Sequence, residues 1–120
     1  MGSAEDLDAL ASGWLALPDL AEATGMPLSA LRQSVREGRL VTVRHGPRAV
    51  ASVPTDLVRD GHLVKGLGSA LVVLADAGLA AAESLAWLLT PDDALGGRPV
   101  DLMAEGRDVA VRRQAMTLAL

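Results

Sequence analysis

Polar and apolar positions follow helical spacing along most of this chain and strand spacing in one short middle stretch. The run "LALPDLAEATG" places Pro18 at a first helical position and Gly25 just past the end. With Leu20, Ala21 and either Ala23 or Thr24 turned inward, it predicts a helix over about residues 18–24. "MPLSALRQSVREGRL" follows, with Pro27 as a second start and Gly38 as its stop. At 3.6 residues per turn, Leu28, Leu31 and Val35 share one stripe of this helix, whereas Ser29, Arg32, Gln33 and Arg36 share another. Beyond Gly38 the period becomes two: "LVTVR" and "AVASV" flank the turn "HGPR" and predict a small hairpin. Pro54, Thr55 and Asp56 then predict the start of a helix, "PTDLVRDG".

From about residue 62 the composition is helical throughout. "HLVKGLGSALVVLADAG" predicts an apolar helix stopped by Gly78, and "LAAAESLAWLL" a second one with Trp87 as a core anchor. Thr90, Pro91, Asp92 and Asp93 read as a capped helix start. Pro99 opens "PVDLMAE", Gly106 breaks it, and Asp108 caps a final helix, "VAVRRQAMTLAL". The expected fold is mainly α: a winged helix-turn-helix with a small β-hairpin wing over residues 15–61, then a compact C-terminal helical domain over 62–120. Residues 1–14 read as a loose leader ending in a short helical turn, "AEDLDALA", near Gly13.

Charge changes this picture by its placement. The 120-residue chain has net charge −4, yet residues 1–31 hold five acids and no base, while residues 32–48 hold five bases and one acid. With ten Arg to one Lys and no Ile, Phe, Tyr, Asn or Cys, the arginine number itself reflects the bias of a GC-rich coding sequence. A local cluster still sets up a positive field that net charge conceals. The lack of cysteine excludes a disulfide framework or thiolate metal site and fits a reducing cytoplasm, where the protein is expected beside the nucleoid. No uncharged run exceeds the ten residues of "GLGSALVVLA", half of the roughly 20 that a spanning helix needs, so no membrane crossing is expected. "MGSAEDLDAL" has acids where a signal peptide is positive.

The partner that answers such a cluster is duplex DNA, whose phosphates release counterions when neutralised. Arg32, Gln33 and Arg36 are residue types that read guanine and adenine edges through paired hydrogen bonds. Ser29, Arg32 and Gln33 are therefore assigned to the groove with Arg36 beside them, and Arg44, His45 and Arg48 to the backbone or adjacent minor groove. Arg39 stands at the C-terminal end of the same helix. The plainer alternative is a solvated basic face.

Residues 15–58, with "REGRL" ending the second helix and "SVP" where the hairpin returns, resemble the MerR- and excisionase-like winged helix-turn-helix domains. Residues 87–115, "WLLTPDDALGGRPVDLMAEGRDVAVRRQA", resemble the C-terminal toxin-binding domain of Xre-type antitoxins: an aromatic, a loop ending in Leu-Gly-Gly, a proline-started helix and a glycine before the last helix. Both together resemble a family of small actinobacterial DNA-binding regulators. The resemblance implies a DNA-binding regulator without catalytic activity. Because Xre-type antitoxins carry a different, larger DNA-binding domain, toxin neutralisation does not carry over with it. The C-terminal half is then scaffold, a homodimer contact or the seat of a protein partner, such as a toxin or other enzyme. An excisionase-like architectural factor remains an alternative. The final helix, with Val109, Ala110, Met116 and Leu120 beside Arg112 and Arg113, is the candidate dimer face.

Catalytic chemistry has little support. His45 and His62 stand apart, no cofactor or metal motif is present, and Asp92, Asp93, Asp101, Glu105 and Asp108 fall mostly at expected helix starts. "GLGSAL" lacks the spacing of a dinucleotide fingerprint. With only Trp14 and Trp87 as aromatics, the chain lacks the stacking platforms of single-strand readers, which favours the duplex.

Overall fold

The first helix of the pair forms where its punctuation places it. The computed structural model describes residues 4–119, with side chains from Asp6 onward; residues 1–3 of the expected leader, and Leu120 of the expected dimer face, lie outside them. Helix α2 (Leu17–Thr24) has Pro18 in its first turn and closes with the Gly25 amide donating to the Ala21 carbonyl at 2.8 Å. Thr24, rather than Ala23, is turned inward, its hydroxyl donating to the Leu20 carbonyl. Pro27 then caps helix α3 (Leu28–Arg36), whose Leu31 is fully buried.

The hairpin forms as well, with a shorter first strand than expected. Strand β2 (Val43–His45) pairs antiparallel with β3 (Val50–Pro54), setting Val43 opposite Ser52 and His45 opposite Val50. Leu40 stays outside the strand: its amide donates to the Ser34 carbonyl of α3 at 3.2 Å while its side chain is buried in the core. A strand that the sequence did not reveal, β1 (Trp14–Ala16), pairs with the other edge of β3, giving a three-stranded sheet of order β1-β3-β2.

Several expectations are corrected. The short helical turn expected at "AEDLDALA" forms as helix α1 (Ala4–Leu10), but it is not part of a loose leader: its Leu7 is fully buried and it packs on the C-terminal half of the chain. "PTDLVRDG" makes only a 3-10 turn, Thr55–Leu57, before the chain enters a second hairpin, β4 (Val58–Arg59) and β5 (His62–Leu63). Its two-residue turn is Asp60-Gly61, both at positive φ (54° and 78°), the conformation for which an Asp-Gly pair is suited. The apolar helix expected from residue 62 therefore begins later, as α4 (Leu67–Asp76). No helix follows Pro91: Asp92 accepts the Ala94 and Leu95 amides and holds a turn closed by pairing with Gly97. Helices α5 (Ala81–Leu89), α6 (Pro99–Ala104) and α7 (Asp108–Met116) form where expected, although Asp108 is the first helical residue of α7 and makes no capping bond, and α7 gives way at Thr117–Ala119 to a 3-10 turn instead of running on through "TLA".

The core runs unbroken from the first half into the second, from Leu20, Leu31, Val53 and Leu57 to Leu71, Leu74, Leu88, Val100 and Val111. No helix among the described residues is long and apolar enough to cross a membrane.

Candidate nucleic-acid interface

Leu31 anchors α3 so completely that the opposite side of this short helix must face solvent. Ser29, Arg32, Gln33, Arg36 and Glu37 are all exposed there, the polar stripe read from the sequence. Three of them form a chain of bonds: Arg36 donates from Nε and Nη2 to Gln33 Oε1 at 3.1 and 2.6 Å, and Gln33 Nε2 donates to Glu37 Oε2 at 3.0 Å. Glu37 is the one acid of this surface, and it engages Gln33 rather than an arginine. Arg32 has no ion pair or side-chain hydrogen bond among the described residues. At exposed sites such intrahelical bonds are worth only a few tenths of a kcal/mol, so a ligand can readily exchange them.

The hairpin carries the next cations. Arg44 and Arg48 are exposed, and Arg44 Nη1 donates to the Ala49 carbonyl across the turn at 3.1 Å. No Asp or Glu occurs from residue 38 to residue 55. The structure separates His45 from this set. Its Nε2 lies 2.9 Å from Asp8 Oδ1 on α1, and its ring stacks on Trp14 with centroids 4.3 Å apart. Strand β2 is thereby fastened to both α1 and β1. Arg39 lies apart from the α3 stripe, with its guanidinium against Gly68 of α4.

Behind this surface stands a network that sequence reasoning did not find. Asp56, 5% exposed, accepts the Ser12 amide at 2.8 Å, the Ser12 hydroxyl at 3.0 Å and Arg98 Nη1 at 3.0 Å. Arg98 also grips Asp101 bidentately, from Nε at 2.8 Å and Nη2 at 2.9 Å, and Arg59 Nη2 donates to Asp101 Oδ1 at 2.6 Å. Burial pushes the Asp56 carboxyl up, but the Ser12 amide, Arg98 and the Ser12 hydroxyl outweigh it and hold the group below its ordinary value. Arg98, ahead of an opposing effect of burial and with help from Arg59, lowers Asp101 to about 2. The network ties the turn after β3 to the start of α6, spanning 42 residues of sequence. Among the described residues no three His, Asp or Glu side chains gather as ligands of a cation would.

A helical body with a three-stranded sheet, presenting one short basic helix and one basic hairpin to solvent, is the class of protein these features define. The chain belongs to the Rv2175c family. It is 36% identical to the DNA-binding protein Rv2175c of Mycobacterium tuberculosis (strain ATCC 25618 / H37Rv), over 83% of this chain and 77% of that one. Residues 64–119 match the Rv2175c C-terminal domain of unknown function. The fold is similar to the NMR structure of Rv2175c, with a TM-score of 0.74 and 32% identity over 90% of this chain and 82% of the other.

Proposed function

We propose that this protein binds duplex DNA as a winged helix-turn-helix, with α2 and α3 as the helix pair, α3 as the recognition helix and the β2–β3 hairpin as the wing, and that it serves as a regulator of transcription without catalysis or cofactor. The observation that carries the reading is the solvent-facing stripe Ser29, Arg32, Gln33 and Arg36 on a helix locked in place by Leu31. A helix of this size fits the major groove, and these side chains reach base edges through paired hydrogen bonds. The name of the relative, a DNA-binding protein, supports the same reading. So does the resemblance of residues 15–58 to MerR- and excisionase-like domains.

In this scheme Arg32, Gln33, Arg36 and Ser29 face the groove, and Arg39, Arg44 and Arg48 neutralise phosphates. His45 orients the wing through Asp8 and Trp14. The C-terminal half serves as the scaffold that holds both in register, through the Arg98 network and the common core.

Fluorescence anisotropy with a labelled duplex at several salt concentrations tests the reading. Binding is expected to fall steeply with salt and to weaken in Arg32→Ala/Arg36→Ala, by about 1–3 kcal/mol for each lost base contact. Wild-type affinity in that folded double variant would overturn the assignment.

A further inference from the structure

Between the end of α3 and the start of α4 the surface folds into a polar cleft of about 350 Å³, lined by Ser34, Arg39, Lys65, Gly66, Gly68 and Ser69 among others. Lys65 is the only lysine of the chain. No acid among the described residues lines the cleft. Arg39 and Lys65 are both exposed, and neither makes an ion pair or side-chain hydrogen bond among the described residues. The other arginines outside the α3 and hairpin surface include two, Arg59 and Arg98, held by Asp56 and Asp101.

The position of Arg39 is specific. A methyl built on Gly68 would lie 2.8 Å from its Nη2 and 3.0 Å from its Cζ and Nε, so the guanidinium fills space that only glycine leaves open. Asp108 packs against Gly66 from α7, with a methyl at Gly66 falling 2.9 Å from its Oδ2, yet it forms no ion pair with either cation. Two positive groups thus share one cleft with no counter-charge bonded to them. Ser34 joins the cleft to the DNA-facing helix, about 100° round α3 from Gln33.

We infer that this cleft holds a backbone phosphate of the same duplex that α3 reads, with Lys65 and Arg39 as its cations, so that the DNA footprint extends onto the start of the C-terminal half. The inference rests on the DNA-binding reading and adds a contact outside both the recognition helix and the wing. A phosphate fits better than a base edge: compact ammonium and planar guanidinium groups both bind phosphate oxygens, and the cleft is polar.

Lys65→Gln removes one of these cations at an exposed position. Its binding to a duplex, and to a second duplex of unrelated sequence, is measured from 50 to 200 mM salt beside wild type, Lys65→Arg and Arg113→Gln. Arg113, exposed on α7, supplies the same change in net charge away from the cleft. Loss of one phosphate contact is expected to lower the slope of log K against log salt by about 0.9, roughly a threefold smaller change in affinity over that range, equally on both duplexes. Lys65→Arg should keep the wild-type slope. An unchanged slope in Lys65→Gln, or an equal change in Arg113→Gln, overturns the inference while Arg32- and Arg36-dependent binding leaves the larger reading standing. If the wild-type protein binds neither duplex at 50 mM salt, both fall.

Discussion

Arg98→Ala is the substitution with the most to reveal about what holds the basic helix and hairpin in place. It leaves the Asp56 carboxylate, whose side chain is 2% exposed, without a cation, held by the Ser12 amide and hydroxyl. Breaking a buried charge pair from one side costs about 3–5 kcal/mol. Because Arg98 itself is 24% exposed and water can follow the truncation, the lower end, about 3 kcal/mol, is the appropriate figure. For a chain of this size that is a fall of about 12 °C in Tm. Arg59→Ala removes a partner from a pair exposed by more than a third on both sides, and should cost below about 1 kcal/mol. Thermal unfolding followed by circular dichroism compares the two. Asp56→Asn in the Arg98→Ala background should recover part of the loss, since a neutral amide needs no cation. A Tm within about 4 °C of wild type for Arg98→Ala, or equal losses for both arginines, would refute the reasoning.

Other expectations rest on single features. Leu7→Ala should lower stability by about 3 kcal/mol in urea unfolding, as for a fully buried core leucine, whereas a detached leader would show no change. Gly66→Ala should cost more than Gly25→Ala by at least about 1 kcal/mol: both sit at positive φ, but only at Gly66 does the new methyl meet a side chain, 2.6 Å from Asp108 Cβ. Asp101 titrates near 2 in the folded protein and near 3.9 when unfolded, so its contribution is complete above pH 4 and lost as pH falls toward 2. The acid-side decline of Tm should therefore be shallower in Asp101→Asn. His45→Gln should weaken DNA binding less than Arg44→Gln in anisotropy, because His45 is occupied by Asp8 and Trp14; a larger effect at His45 would return it to the contact surface.

Much of the first half could be read directly from the chain because its signals are local. Pro18, Gly25, Pro27 and Gly38 punctuate α2 and α3 within a few residues of their ends, and helical spacing alone placed Ser29, Arg32, Gln33 and Arg36 on one exposed face. Most of the misses are non-local; the helix expected after Pro91 is a local one, because Asp92 closes a turn with Ala94, Leu95 and Gly97 instead. Strand β1 is three residues long and exists only by pairing with β3, nearly 40 residues away. The Asp56–Arg98–Asp101 network has no periodicity, and both acids read equally well as helix-start residues. Sequence placed His45 in the turn of the wing, with no sign that α1 would bring Asp8 against it. The second hairpin did have a local signal, Asp60-Gly61 between "VR" and "HL", but the apolar run around it favoured helix.

The docking of α1 on α5 also sets an order of events during synthesis. The two helices are separated by 70 intervening residues, so at about 5–20 residues per second α1 is made about 4–14 s before the surface that buries Leu7. Over that interval the helix pair and the hairpin can form, but the strut from Asp8 to His45 rests on a helix without its own support. The wing acquires its final rigidity only when the last third of the chain arrives, so a nascent or truncated chain would present its basic elements before they are held in register.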